Sequence, residues 1–237
     1  MSELKAVFFD VKGTLWDKDA CDRQVLDILL PRYMDRLPEE EHTAVIRRYN
    51  AVFLTLPGKQ HLRERRSFSR VKRFRALLDS YDLRSDSLAR EMARTYDTTR
   101  RLIMRQHLRP EAVRVLGALR KMELQTGVIM NGPPAVQRHL LDTLGLLPHL
   151  DHCVLAEIEG YRKPDIRLFR RTLELAGAES DHVLYVGDSP LTDILGAARA
   201  GIPTVWFQTG HRRLPRDFPT PDFTIRELSE LLSVVDV

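Results

Sequence analysis

The chain has 237 residues, of which 43% are hydrophobic and 30% are charged, and its formal net charge is +4. This composition is typical of a folded globular protein and excludes a largely disordered chain. The length suits one large domain, or a core domain with a smaller insert. No apolar run approaches the roughly 20 residues that span a bilayer, and Asp10 interrupts the apolar segment near the N-terminus. We therefore expect neither a membrane span nor a signal peptide.

The two cysteines, Cys21 and Cys153, are far apart in the sequence and belong to no Cys-x-x-Cys or Cys-His pattern. Reduced thiols in a cytoplasmic protein are the simpler interpretation. The mild positive charge favours anionic ligands only weakly.

The first informative stretch is the apolar run Ala6 to Phe9, which leads into Asp10 and then into Gly13 and Thr14. A short apolar run that ends at a turn signal is typical of a buried strand. In open α/β folds, ligands bind at the carboxyl ends of the parallel strands. We therefore expect the carboxylate of Asp10 at a ligand-binding edge.

The segment 17–108 has helical spacing of apolar residues throughout and no strand pattern. It predicts four helices, at about 21–37, 39–53, 67–81 and 85–106. We expect residues 1–16 and 109–237 to form an α/β core and residues 17–108 to form an inserted four-helix cap. Within the insert, the stretch Lys59 to Arg75 carries eight Lys or Arg residues against one acid. We interpret it as a solvated helix face, and no nucleic-acid motif accompanies it.

From Pro110 onwards, strands and helices alternate, which predicts βαβ units and a parallel sheet. Pro110 suits the first position of a helix that continues to Met122. The predicted strands are 126–130, 152–156, 182–186, 203–207 and 223–225. The predicted helices are 135–144, 166–175, 192–200 and 225–232, and Asp165 is expected to cap the second of them.

The candidate chemical residues lie where predicted strands end or on the loops that follow: Asp10, Met130 with Asn131, Lys163 and Asp188. This arrangement resembles the haloacid dehalogenase-like superfamily over the whole chain. The matching motifs are Asp10-x-Lys12-Gly13-Thr14, Ile129-Met130-Asn131-Gly132, Lys163-Pro164-Asp165 and Gly187-Asp188-Ser189-x-x-x-Asp193. The fold that the resemblance implies is a Rossmann-like parallel sheet with a helical cap placed after the first motif.

The resemblance also implies a reaction on a small phosphorylated substrate. Asp10 would be the nucleophile that forms an aspartyl-phosphate. Lys163 would neutralise the phosphoryl oxygens and keep Asp10 ionised. Backbone N–H groups of Asn131 and Gly132 would bind phosphate. Mg²⁺ would be held by ligands of the hard oxygen type that this ion needs, namely Asp10, the backbone carbonyl of Lys12, Asp188 and Asp193.

Two residues depart from the family pattern. Lys12 replaces the acid that protonates the leaving group and then activates water, a contribution of roughly 10²–10⁴ in rate. Lys12 either runs partly neutral beside Lys163 or pairs with an aspartate and competes with Mg²⁺. Met130 replaces a hydroxyl that hydrogen-bonds a phosphoryl oxygen, and loss of one such donor costs about 10²–10³ in rate.

Three functions are therefore open from the sequence. The first is a Mg²⁺-dependent phosphatase that Lys12 and Met130 impair or alter. The second is a binding or regulatory protein that keeps the scaffold without the reaction. A 2-haloacid dehalogenase is the third and is less favoured, because family dehalogenases have Tyr and Ser at the positions of Lys12 and Met130 and lack the Gly187-Asp188 pair.

Overall fold

The structure is a computed structural model that describes residues 4–37, 41–51, 70–210 and 214–236. The chain forms two compact units. One comprises Met1–Lys18 together with His107–Val237, and the other comprises Asp19–Gln106. We call them the sheet unit and the helical unit.

The sheet unit contains six parallel strands in the order β3-β2-β1-β4-β5-β6. Their bounds are Ala6–Phe9 for β1, Gln125–Met130 for β2, His152–Leu155 for β3, Val183–Gly187 for β4, Thr204–Phe207 for β5 and Phe223–Ile225 for β6. Strand β1 lies between β2 and β4, and Phe9 is level with both Val128 and Val186. The carboxyl ends of these three strands therefore meet at one edge, which confirms the predicted Rossmann-like sheet.

Helices connect the strands of the sheet unit, as crossover connections between parallel strands require. The connecting helices are Ala112–Lys121, Pro134–Leu144, Ala156–Glu159, Ile166–Ala176 and Leu195–Arg199. A last helix, Leu231–Val235, follows β6. The helix Ile166–Ala176 buries Phe169 against Tyr185, with the two rings edge to face at 5.1 Å. Asp165 caps this helix as predicted, since its side chain accepts a hydrogen bond from the Arg167 N–H.

Two helix starts differ from the sequence prediction. Ala156 is not the last residue of a strand but the first of a short helix. Strand β2 ends at Met130, whose register partner is Leu155, so no strand remains to pair with Ala156. The helix predicted from Pro110 begins instead at Ala112, after a turn.

Two further elements near the C-terminus also differ. The helix predicted to begin at Thr192 is preceded by a π-helical turn, Pro190–Ile194, in which Asp193 and Ile194 both donate to the Ser189 carbonyl. Ile225 does not start a helix, because it ends β6 and pairs with Phe207. A 3₁₀ turn, Leu228–Glu230, then leads into the last helix.

The helical unit has its own core. Its described α-helices are Lys18–Leu29, His42–Ala51, Arg70–Asp79 and Asp86–Ile103. The rings of Tyr49, Phe74 and Tyr96 pack together with centroids 4.9 to 6.4 Å apart. The helix predicted for 21–37 ends early, because Pro31 cannot continue the α-helical hydrogen bonding and a 3₁₀ turn follows. The four-helix insert stays a prediction, since residues 38–40 and 52–69 lie outside the described ranges.

Half of the basic stretch, Lys59 to Arg66, lies outside the described residues. In the remainder, Arg70 forms an ion pair with Asp97 at 3.0 Å and stacks over the Tyr96 ring at 3.8 Å. Arg75 contacts Asp86 at 2.6 Å. These charges are matched within the helical unit rather than left as a uniform cationic face. Among the described residues, no helix is both long and apolar enough to cross a membrane.

Candidate functional site

A pocket of about 260 Å³ lies at the carboxyl ends of the central strands of the sheet unit. Seven of the residues that line it were identified from the sequence: Asp10, Lys12, Met130, Asn131, Lys163, Asp188 and Asp193. The sequence analysis did not single out the other three as site residues: Gln137, Ser189 and Thr192. The predicted phosphate-binding residue Gly132 adjoins this lining next to Asn131.

The Lys163 ammonium group is the centre of the polar network in the pocket. It donates hydrogen bonds to Asp10 Oδ1 at 2.6 Å and to Asp193 Oδ1 at 2.7 Å. The residue is 2% exposed, so these two charged contacts form largely away from water. A buried cation needs such compensation, because desolvation of a charge is costly. Lys163 is therefore a buried, paired cation and not a solvated loop lysine.

Asn131 fixes the loop that carries Lys163. The Lys163 N–H donates to Asn131 Oδ1 at 2.9 Å, and Asn131 Nδ2 donates back to the Lys163 carbonyl at 3.3 Å. This pair of bonds attaches the loop before the helix Ile166–Ala176 to the end of β2. The Asn131 side chain therefore positions Lys163, a role that the sequence did not indicate.

Tyr185 completes the network and was missed from the sequence. Its hydroxyl accepts from Lys163 Nζ at 3.0 Å and donates to Asp193 Oδ1 at 3.1 Å. Tyr185 lies in β4 and is fully buried, and a buried tyrosine hydroxyl usually has a hydrogen-bond partner. Its place in an apolar strand run hid this role, because the pattern there indicated only a core position.

Asp193 is held from two sides. Its Oδ2 accepts from the Ser189 N–H at 3.0 Å, while Oδ1 faces Lys163 and Tyr185. The backbone of Gly187 allows this position, since a Cβ there would lie 2.4 Å from the Cβ of Asp193. Both carboxylate oxygens of Asp193 thus accept hydrogen bonds from the protein. The main role of Asp193 is therefore to hold the Lys163 ammonium group in place.

Burial raises the pKa of Asp10 to about 6, although the Lys163 cation opposes the rise. Burial alone would lower the pKa of Lys163, but the carboxylates of Asp10 and Asp193 outweigh it and raise that pKa well above its usual value. Lys163 is therefore a permanent cation at physiological pH. Asp10 is ionised above about pH 6, the form that a nucleophile requires.

The acidic residues of the pocket form a candidate metal site. Asp10, Asp188 and Asp193 each offer an oxygen within 4.8 Å of the others. The Asp10 Oδ2 atom is buried and has no hydrogen-bond partner among the described residues. Buried polar atoms are usually paired, so this oxygen is available to bind a cation. Gly13, at φ 104°, allows the close approach of Asp188, since a Cβ there would lie 2.4 Å from Asp188 Oδ2. This donor set fits a hard divalent cation such as Mg²⁺.

The two departures from the family pattern both lie in the pocket. Lys12 lines it, and its positive charge makes a small contribution that opposes the rise in the pKa of Asp10. Met130 is 2% exposed and presents a thioether where a hydroxyl was expected. The structure therefore places both side chains where they bear on any chemistry at Asp10.

Arg109 supports the loop after β1 and was also missed from the sequence. Its guanidinium donates to the carbonyls of Thr14 at 2.8 Å and Gly13 at 3.2 Å, and it lies over the Phe207 ring at 4.6 Å. Arg109 follows Thr14 by 95 residues. No local pattern could have indicated this contact.

Comparison with known proteins agrees with this geometry. The model of the family described as haloacid dehalogenase-like hydrolase matches residues 4–201. The chain belongs to this family. The sequence resemblance is therefore confirmed, and the protein is a haloacid dehalogenase-like hydrolase by family.

Curated relatives in this family include phosphatases. The chain is 38% identical over 123 residues to pyrimidine 5'-nucleotidase YjjG of Escherichia coli, a match that covers 52% of this chain and 54% of that protein. It is 36% identical over 144 residues to phosphoserine phosphatase of Thermus thermophilus, which covers 60% and 56% of the two chains. The match thus spans about half the length of each of these relatives.

The fold is shared over the whole chain with a haloacid dehalogenase-like hydrolase of known structure. The putative HAD-hydrolase YfnB of Bacillus subtilis, solved bound to magnesium, superposes with a TM-score of 0.79 at 23% identity and 100% coverage of both chains. Dehalogenases of the same fold are also among the structural matches. At these identities the structural likeness establishes the fold of this family member.

Proposed function

We propose that the protein is a Mg²⁺-dependent phosphohydrolase that acts on a small phosphorylated metabolite. The observation that carries the proposal is the hydrogen-bonded arrangement of Lys163 with Asp10 and Asp193 in a pocket that also holds Asp188. A nucleophilic carboxylate, a fixed cation and a cluster of hard oxygen ligands are the parts that phosphoryl transfer to an aspartate requires. The curated phosphatase relatives favour the same reaction.

In the proposed reaction, a carboxylate oxygen of Asp10 attacks phosphorus and the bond from phosphorus to the leaving oxygen breaks. The products of this step are an aspartyl-phosphate and a free alcohol or phenol, after the leaving oxygen takes up a proton. Water then cleaves the aspartyl-phosphate and releases inorganic phosphate. The Lys163 cation lies beside Asp10 throughout and stabilises the negative charge of the phosphoryl group.

Asp10, the Lys12 carbonyl and Asp188 would hold Mg²⁺, with Asp193 at the rear of the site. When bound, the ion supplies charge neutralisation for the phosphoryl oxygens. Asp193 contributes mainly by orienting Lys163, since both of its oxygens already have partners.

Lys12 sets the limit on this activity. An ammonium group can donate a proton to a leaving oxygen but cannot accept one from water, so we expect the hydrolysis of the aspartyl-phosphate to be the slower step. This observation favours a second candidate, a binding or regulatory protein on the same scaffold. The dehalogenase alternative is disfavoured, because Asp188 approaches Asp10 closely enough to share a cation.

The first test measures hydrolysis of an aryl phosphate with Mg²⁺ and with a chelator. Wild type should show turnover that requires Mg²⁺, and Asp10→Asn should abolish it. Asp142→Asn is the matched control, because Asp142 is exposed on the helix Pro134–Leu144 and outside the pocket. Activity that survives Asp10→Asn would remove Asp10 from the reaction, and halide release from a 2-haloacid would favour the dehalogenase.

A second test separates the enzyme from the binding protein. Lys12→Asp combined with Met130→Thr restores both family residues and should raise the phosphatase rate, by roughly 10² or more, since each function is worth at least that much where it has been removed. Single variants show how the two effects combine. A high phosphatase rate in wild type, with no increase in the double variant, would mean that Lys12 contributes to catalysis in another way.

A further inference from the structure

The described lining of the pocket holds a nucleophile, cations and oxygen ligands, but it offers no group that is placed to take a proton from water. Its ten residues include no histidine and no glutamate, and their acidic members are Asp10, Asp188 and Asp193. Asp10 is the proposed nucleophile, and Asp188 is a proposed metal ligand. Both oxygens of Asp193 accept hydrogen bonds from the protein. Each carboxylate of the described lining therefore already has another role.

The neutral polar residues of the described lining do not supply a base either. They are two hydroxyls and two amides: Ser189, Thr192, Asn131 and Gln137. Hydroxyl and amide groups form hydrogen bonds but are not bases near neutral pH. The Asn131 amide is also bonded at both ends to the backbone of Lys163. The described lining thus provides the groups that move a phosphoryl group onto Asp10, but no base that helps water to remove it.

The cation of Lys12 bears on the group that leaves phosphorus. Lys12 lines the pocket, and its charge acts on the neighbouring carboxylate of Asp10. A fixed cation stabilises an anion that forms beside it, most strongly away from water. A leaving group that departs as a carboxylate gains from this charge and needs no proton, whereas an alkoxide also needs a proton. The charge in the pocket therefore suits a donor whose leaving group is a carboxylate.

We infer that the protein takes a phosphoryl group from an acyl phosphate and keeps it on Asp10 as a persistent aspartyl-phosphate. An oxygen of the Asp10 carboxylate forms the new bond to phosphorus. The bond from phosphorus to the acyl oxygen breaks, its electron pair leaves with the carboxylate, and no proton moves. Because one mixed anhydride replaces another, the phosphoryl group can accumulate on the protein.

The inference rests on the proposed function for the nucleophile and for the Mg²⁺ site. It adds the class of the phosphoryl donor and the fate of the phosphoryl group. A protein that stores a phosphoryl group on an aspartate exists in two states of different charge at the pocket. This property agrees with the regulatory candidate on the same scaffold.

The test incubates the full chain and Mg²⁺ with acetyl phosphate that is labelled in its phosphoryl group. Intact mass and retained label then follow the protein after the donor is removed. Wild type should gain a single phosphoryl group and hold it, and Asp10→Asn should gain none. Neutral hydroxylamine should release the label, since it cleaves acyl phosphates.

Variants of Lys12 test the two parts of the inference. Lys12→Met should take up label roughly tenfold more slowly, because the leaving carboxylate loses its counter-charge, but it should not lose the label faster. Lys12→Asp supplies a base and should shorten the lifetime of the aspartyl-phosphate by roughly 10²–10⁴. Lys121→Met, at the exposed end of the helix Ala112–Lys121, is the matched control and should behave as wild type. Thermal unfolding identifies any variant that fails to fold.

The outcomes also distinguish this inference from the proposed function. A persistent label on Asp10 without steady hydrolysis of an aryl phosphate would support the inference and contradict the phosphatase. Steady turnover that requires Asp10, with no label retained after the donor is removed, would overturn the inference and support the phosphatase. A label that wild type loses as fast as Lys12→Asp would also overturn the inference. Absence of both label and turnover in folded wild type would reject both proposals.

Discussion

Lys163 brings two carboxylates, those of Asp10 and Asp193, within 2.7 Å of one buried ammonium group. Removing one partner from such a buried group is expected to cost several kcal/mol, because it leaves the other charges uncompensated. Tyr185 and Asn131 hold the lysine in place without adding charge. The same contacts thus set both the local stability of the site and the ionisation of its proposed nucleophile.

The raised pKa of Asp10 predicts a pH dependence of stability in the metal-free protein. The native pKa is about 6, whereas an unfolded aspartate titrates near 3.9. Between these values the native state keeps a proton that the unfolded chain has released, so stability falls as the pH rises from about 4 to about 6. The free energy of unfolding of wild type should drop relative to Asp10→Asn by at most about 3 kcal/mol over this range.

Urea unfolding with a chelator, at steps of pH, measures this difference. Above about pH 6 the two curves should run parallel, because Asp10 is then ionised in both native and unfolded wild type. Parallel curves between pH 4 and 6 as well would contradict the raised pKa.

At the scale of elements, the ends of β1, β2 and β4 carry the site, and two glycines decide how closely its parts approach. Gly13 leaves room for Asp188, and Gly187 leaves room for Asp193. The π-helical turn Pro190–Ile194 then directs Asp193 back towards the strand end. A short turn with one additional residue thus connects the strand to the polar network.

Gly187→Ala is predicted to destabilise the protein and to disturb the site. The new Cβ would lie 2.4 Å from Asp193 Cβ, and Gly187 cannot retreat, since β4 is paired with both β1 and β5. Overpacking of this kind costs about 1–3 kcal/mol. Gly117→Ala is the matched control, because nothing lies within 4 Å of its new Cβ in the helix Ala112–Lys121.

The control should stabilise the protein by about 0.5–1 kcal/mol through helix propensity. Urea unfolding of both variants measures the change in the free energy of unfolding, which should fall for Gly187→Ala and rise for Gly117→Ala. A Gly187→Ala variant as stable as wild type would show that Asp193 can move without cost.

At the scale of the whole molecule, two units with separate cores make up the chain. The sheet unit supplies every described residue of the pocket, and the helical unit is organised around Tyr49, Phe74 and Tyr96. The strand order places β1 between β2 and β4, so that Asp10 and Asp188, which follow β1 and β4, lie at the same edge of the sheet. A cation bound at that edge should stabilise the native state of the chain as a whole.

Mg²⁺ is therefore predicted to raise the unfolding temperature, and the rise should grow with the Mg²⁺ concentration once this exceeds the Kd. Asp188→Asn should remove the rise, whereas Asp142→Asn should retain it. Lys12→Asp should enlarge it, since the substitution replaces a cation in the pocket with a further acid. Differential scanning calorimetry over a series of Mg²⁺ concentrations measures the effect, and an equal rise in Asp188→Asn would place the bound ion elsewhere.

The amino-acid sequence by itself determined the strands of the sheet, most of its helices and the proposed site residues Asp10, Lys163, Asp188 and Asp193. These features depend on local signals, namely apolar runs, glycine turns and motif spacing, which can be read within about ten residues. Element boundaries that depend on a neighbouring strand were less predictable. Strand β3 ends before Ala156, because β2 ends at Met130, the partner of Leu155.

Only the tertiary structure decided the partners of these residues. Lys163 and Asp10 are 153 positions apart, and Arg109 and Thr14 are 95 apart. Tyr185 lies in a segment whose sequence pattern indicated only a buried strand, and Gln137 lies in one whose pattern indicated only a helix. Hydrogen-bond partners at such separations follow from how the strands line up across the sheet, and no local pattern specifies that alignment.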